Sequence, residues 1–332
     1  MDMNTKFWKW PIAVYLFLGG LGGGTIFLSM IFFYMLGIPG ELLAWPVFLG
    51  VVMLALGCLL LIFELGQPKL FVRAFITKTA IIKWGAVLLS IAMIGALLWW
   101  IFFWPAQWQC FWYDWTWLRD FGAIFAAVSS LGLMIYTGIL LSSMKARPFW
   151  NTPAVPILFT VSALSTGSAL LAMSLGGGLD FLFFPRADIT FTFAQTYGFA
   201  YELCHTIDTI LIVAEIIILL LFVVMQYSSS DVTAKAVAKR WLAGNTALIF
   251  WGGMVVVGLL CPLLCYLSGI TFLTAYLAPI LALAGGVLLR FLFVYNNDRR
   301  DIEGTSRYFD RLPSKDAEFL HAAWNKDSFG GY

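Results

Sequence analysis

Charge is what this 332-residue chain has little of: Asp, Glu, Lys and Arg make up 11%, against 61% hydrophobic residues and a mean hydropathy of +0.88. A soluble core has no use for that much apolar surface, so the composition points to a polytopic membrane protein, and no nucleic-acid partner is expected. Histidine is nearly absent too. There are two, and only His205 falls inside an apolar span, which excludes a bis-histidine haem b within one chain. The five cysteines, Cys58, Cys110, Cys204, Cys261 and Cys265, show no C-x2-C spacing, so no iron–sulfur cluster or other metal is expected here. Cys261 and Cys265 sit one helical turn apart, which reads as packing. A cleaved signal peptide is not expected, because the apolar run after Lys6 and Lys9 continues for more than twenty residues.

What is present is a series of apolar runs. A spanning helix needs ~20 apolar residues. Eight segments qualify, at 11–36, 43–65, 80–104, 121–143, 154–176, 202–226, 244–267 and 272–295. The expected fold is an all-α integral membrane protein of eight transmembrane helices in two four-helix bundles. It divides into a short N-terminus (1–10), a membrane domain (11–295) and a polar C-terminal tail (296–332). Seventeen lysines and arginines fall on the side of the termini and the even-numbered connections, against Arg119 and Arg186 on the other. That bias supports the eight-span count and predicts both termini in the cytoplasm, unless the same basic loops form a docking face for an acidic partner.

Several local features bear on packing. The first span carries Gly19, Gly20, Gly22, Gly23 and Gly24, which in lipid allow close approach to a neighbouring helix. The third connection, with Trp104, Trp108, Trp112, Trp115 and Trp117, reads as an interfacial aromatic belt. The fifth, from Gly176 to about Tyr201, reads as a lid or re-entrant piece.

The stretch Leu131–Ala172 joins two spans through a short basic turn broken by proline. Its "YTGILLSSMKARPFWNTPAVPILFTVSALSTG", with "WPIAVYLFLGGLGGG", "ELGQPKLF" and "APILALAGGVLLRFLFVY" elsewhere, resembles the signature of the NrfD-like family of polysulfide-reductase-type membrane subunits. The resemblance reaches from Trp10 to Tyr295. It implies an eight-helix, quinone-reactive anchor in a bacterial or archaeal inner membrane. Quinone or menaquinone would be the bound substrate. The implied partners, besides membrane lipids, are a ferredoxin-like iron–sulfur subunit and, through it, a molybdopterin catalytic subunit.

Helix direction brings candidate residues to one depth. Tyr15 lies in the first turns of helix 1, Glu64 ends helix 2, Lys83 opens helix 3, and Tyr136 sits ~10 Å inside the end of helix 4. Trp10, Arg147 and Asn151 edge the same face. A quinone head group needs hydrogen-bond donors for its carbonyls within apolar walls, and each two-electron step moves two protons. Tyr136 can donate, and Glu64 can relay a proton. By resemblance, Tyr136 falls on the tyrosine used against the quinone and Glu64 on the acidic position before the LGxP turn. Tyr15 and Ile12 depart from the His and Asn of the best-known polysulfide-type subunit.

A second constellation lies on helix 6. Glu202, His205, Asp208 and Glu215 fall within about 140° at 100° per residue, an ionisable stripe running from the outer surface to mid-membrane. Such groups face a bundle interior by default. They suit a proton path, or a static network in which Asp208 or Glu215 pairs with Arg290 or with Ser or Thr groups. Two functions therefore compete: a quinone-reactive membrane subunit of an oxidoreductase, and a secondary transporter or proton channel using the stripe. The second predicts inverted repeats with broken midplane helices, of which Pro262 and Pro279 are a faint echo.

Overall fold

The structure, a computed structural model, describes residues 10–65, 81–103, 114–175, 191–270, 272–296 and 298, with side chains at 64, 65, 82 and 191–197 outside the description. Among the described residues there is no strand. Eight helices are long and apolar enough to cross a membrane. In chain order they are α1 (Trp10–Leu36), α2 (Gly40–Leu65), α3 (Ile81–Ile101), α4 (Thr116–Ser142), α5 (Ala154–Leu175), α6 (Phe191–Tyr227), α8 (Ile249–Ser268) and α9 (Leu273–Tyr295). A shorter helix, α7 (Val232–Ala243), follows α6.

Each spanning helix runs antiparallel to the next. α1 packs on α2 and α4, and α3 on α4, which closes a first group of four. The second group is α5, α6, α8 and α9. Helices α1 and α5 meet at the seam between the groups and run parallel, because Gly20 faces Ala163 and Gly24 faces Gly167. The backbones touch there: a side chain at Gly24 would collide with the Ala163 carbonyl, and one at Gly167 would stand 2.5 Å from the Gly24 carbonyl carbon. Without a hydrophobic drive between helices in lipid, such small-residue contact gains dispersion energy that bulkier residues would forfeit.

Two stretches have the wider ladder of a π-helix, Ile249–Leu260 in α8 and Leu273–Leu277 in α9. Both end two residues before a proline, Pro262 and Pro279. Proline supplies no amide and its ring pushes on the carbonyl one turn earlier. Widening the preceding turns relieves that clash.

The α6 helix begins well before the hydropathy-based estimate at 202. Polar residues such as Gln195, Thr196 and Glu202 lower the local hydropathy without breaking the helix. Helix α7 is too short and too charged to register as a span. Asp231 caps it, accepting from the Thr233 and Ala234 amides at 3.0 and 3.3 Å, and it buries Ala234, Val237, Ala238 and Trp241. Of the tryptophan-rich connection, residues 104–113 lie outside the described residues, while Trp115 and Trp117 are exposed. The fifth connection lies outside the description up to residue 190, and the tail likewise from 299.

Candidate functional site

In an up-and-down bundle the start of α1, the end of α2, the start of α3 and the end of α4 share one side. Two tyrosines come together there. Tyr15 on α1 and Tyr136 on α4 are both nearly inaccessible, at 2% and 6% exposed, and close enough to interact electrostatically. Cys58 on α2 is a further neighbour of Tyr15, and the Tyr15 ring comes against α2 at Gly57, where a methyl would lie in ordinary contact, 3.6 Å from Cδ2. The Tyr136 ring presses against α3 at Gly85, where any side chain would overlap it, and its hydroxyl is within hydrogen-bonding range of the Gly85 backbone. The arrangement sets two hydroxyl groups in an otherwise apolar wall, about two turns inside the helix ends. Each is able to donate to a carbonyl oxygen.

The other candidates on this side are placed differently. Trp10 is exposed at the head of α1 and Lys83 is half-buried at the start of α3. Glu64 lies in the last turn of α2, with its side chain outside the described residues. Arg147 is buried, its guanidinium 5.0 Å above the Trp150 ring. Trp150 in turn donates from Nε1 to the Phe293 carbonyl of α9 at 3.0 Å. The turn thus ties Arg147 into the second group of helices. Asn151 is exposed.

The helix-6 stripe divides. Glu202 is exposed at the end away from the side of α1's start, whereas Asp208 and Glu215 are buried against α5. Facing them, α5 presents Ser168, Ser165 and Ser162 at three-residue intervals. Ser168 donates to the Cys204 carbonyl at 3.0 Å, and Ser165 to Asp208 Oδ1 at 2.7 Å. Tyr266 of α8 donates to Asp208 Oδ2 at 2.6 Å, so both carboxylate oxygens are held. His205 lies between the Tyr201 and Tyr266 rings, at centroid distances of 4.2 and 5.1 Å, and both its ring nitrogens are buried with no partner among the described residues. Deeper still, fully buried Arg290 donates to Ser162 Oγ and, at 3.2 Å, to the Gly286 carbonyl, with Glu215 as electrostatic and hydrogen-bonding neighbour of the same pair. Towards the N-terminal side, this polar line gives way to an aromatic cluster of Phe149, Phe222, Trp241, Phe250 and Phe293.

Sequence reasoning allowed for Ser or Thr partners of the acids without naming which, and it missed Tyr266. The three-residue spacing of Ser162, Ser165 and Ser168 was a visible signal, because it repeats on nearly one face of a helix. Nothing comparable marked Tyr266. Among the described residues, no group of three His, Cys, Asp or Glu is placed to hold a metal ion.

The family model described as "Polysulphide reductase, NrfD" matches residues 1–298. The protein is 30% identical over 318 residues to a polysulfide reductase subunit of Wolinella succinogenes, covering 88% of this sequence and 94% of the relative. It is 29% identical over 320 residues to protein NrfD of Escherichia coli, covering 87% and 94%. A protein NrfD homolog of Haemophilus influenzae is 24% identical over 282 residues, covering 77% and 82%. With that match running through all eight spans, the chain belongs to the polysulphide reductase NrfD family, as a multi-pass membrane subunit of a redox complex.

Proposed function

We propose that the chain binds quinone or quinol and exchanges electrons between the quinone pool and a docked iron–sulfur subunit of a molybdopterin oxidoreductase. The meeting of Tyr15 and Tyr136 carries this reading. Two hydroxyls ~8–10 Å inside the helix ends suit the carbonyl oxygens of a quinone head group, and Gly85 leaves room for the Tyr136 ring against α3. Leu59 and Phe63 of α2 and Ile81 and Trp84 of α3 are exposed at the same end, offering an apolar flank for the isoprenoid tail. Quinol oxidation releases two electrons and two protons. The electrons pass to the docked partner, and Tyr136 and Glu64 relay the protons on the same side. Trp10, Lys83, Arg147 and Asn151 edge this face, which on the positive-inside bias is cytoplasmic.

Asp208, Glu215, His205 and Arg290 form, on this reading, a proton path from the opposite side to mid-membrane, with Glu202 at its mouth. A transporter built on inverted repeats is less well supported, because the two groups of four helices begin on the same side and their seam helices run parallel.

The test is quinol-analogue binding by fluorescence quenching to wild type, Tyr136→Phe and Tyr15→Phe. Losing one neutral hydrogen bond weakens affinity by about 2- to 12-fold. Unchanged affinity in both variants, with the fold retained, would remove the quinone from this site.

A further inference from the structure

Where α6 ends and α7 crosses to α8, the surface holds an open cavity of about 530 Å³, lined by Tyr227, Lys239, Arg240, Leu242, Ala243 and Gly244. Helix α7 carries Lys235, Lys239 and Arg240 and no acid within its span. Its apolar face is buried, so the helix lies against the bundle with its cations outward. The Lys235 ammonium stands 5.8 Å above the Tyr227 ring at the edge of the cavity. Arg240 pairs with Asp298, but a guanidinium has five N–H donors and one carboxylate does not use them all. Neither lysine is ion-paired among the described residues.

Below the cavity the surface turns apolar. Leu221, Val224 and Met225 on α6 and Leu248 and Ile249 at the start of α8 are all exposed. The first half of α8 packs on α9 and only lightly on α6, and the apolar side chains of both helices named above stay exposed. Trp251 donates from Nε1 to the Leu242 carbonyl at 3.1 Å, the amphipathic ring placed where headgroups meet acyl chains.

We propose that this cavity is a headgroup site for an anionic phospholipid, its phosphodiester held by Lys239 and Arg240 and its acyl chains lying along the exposed apolar residues of α6 and α8. Cations alone would serve a soluble phosphate or an acidic polypeptide equally well. The exposed apolar residues of α6 and α8 on the membrane side of the cavity are what select a lipid, and the basic surplus selects a negatively charged one.

The experiment is native mass spectrometry of the purified full chain, titrated with phosphatidylglycerol or phosphatidylcholine of matched acyl length. Wild type retains phosphatidylglycerol preferentially, and Lys239→Gln/Arg240→Gln loses about thirtyfold in its apparent affinity, from two cations at the surface. Lys145→Gln, on the same side outside the cavity, changes nothing, and Lys239→Arg/Arg240→Lys restores the preference. Thermal unfolding of each variant checks that the fold is kept. Equal retention of the two lipids by wild type would mean annular lipid only and overturn the proposal. So would displacement of the lipid by millimolar inorganic phosphate, or binding of polyglutamate but not phosphatidylglycerol that depends on Lys239 and Arg240. Quinol-analogue binding is measured on the same samples, so a failure at this cavity is separable from a failure at Tyr136.

Discussion

Replacing Gly85 by alanine tests the tyrosine wall more sharply than removing a hydroxyl. The new Cβ would stand 2.6 Å from the Tyr136 oxygen and closer still to ring carbons, whereas ordinary contact begins at 3.4 Å. The ring must therefore retreat by about 1 Å, a displacement able to cost up to ~100-fold in turnover when the moved group positions substrate. Stability responds differently. Alanine gains about 1 kcal/mol of helix propensity over glycine, and overpacking costs about 1–3 kcal/mol. The net loss is about 0–2 kcal/mol, so the variant folds while its quinol turnover falls roughly 10- to 100-fold. A double-mutant cycle isolates the cause. In a Tyr136→Leu background the ring is gone, and Gly85→Ala costs less there by about 1–3 kcal/mol. The assays are thermal unfolding of the purified chain and quinol turnover of the intact complex. If Gly85→Ala matches wild type in both, or costs the same with and without the Tyr136 ring, the packing argument is wrong.

Three further outcomes are expected. Gly167→Val forces the α1–α5 seam apart, where neither backbone can yield, and lowers stability by about 1–3 kcal/mol or prevents folding, read by thermal unfolding. Arg290→Met leaves Glu215 as an uncompensated buried charge and costs about 3–5 kcal/mol, while Arg290→Met/Glu215→Gln recovers much of that loss; a double variant no better than the single would mean the two are not paired. Asp208→Asn keeps an oxygen to accept from Tyr266 or Ser165 but removes the ionisable group, so proton uptake coupled to turnover in liposomes falls with little change in melting temperature. Unaltered uptake would exclude Asp208 from the proton path.

The eight spans were legible because a bilayer demands ~20 apolar residues in a row and hydropathy measures that demand directly. Helix α7 escaped for the converse reason: its stability comes from the Asp231 cap and from burying Trp241, neither of which raises mean hydropathy. The π-type stretches were hidden since they consist in a shifted hydrogen-bond ladder, although Pro262 and Pro279 marked where they end. Tyr136 stood out in the sequence by its depth within an apolar run. Helix direction places Arg147 at the edge of the same face, but nothing in the sequence shows that its guanidinium lies over the Trp150 ring. Sequence distance across a helix end does not say which way the backbone turns. The partners of Asp208 were harder still, since Ser165 and Tyr266 lie 43 and 58 residues away and only helix packing brings them together.

The length of α6 has a mechanical consequence. Its 37 residues extend ~55 Å, against a hydrocarbon core of ~30 Å, so at an ordinary tilt of ~20° more than a dozen residues stand beyond the core. A thinner or thicker bilayer pulls on such a helix along its own axis. The helix is pinned to α5 by Ser168 at Cys204 and by Ser165 at Asp208, and a slip of one residue is only ~1.5 Å. A slip of that size stretches a transverse 2.7 Å bond to about 3.1 Å, which weakens it without breaking it. A change in bilayer thickness therefore loads the α5–α6 serine bonds at Cys204 and Asp208, which sit on the helix with the most length beyond the core.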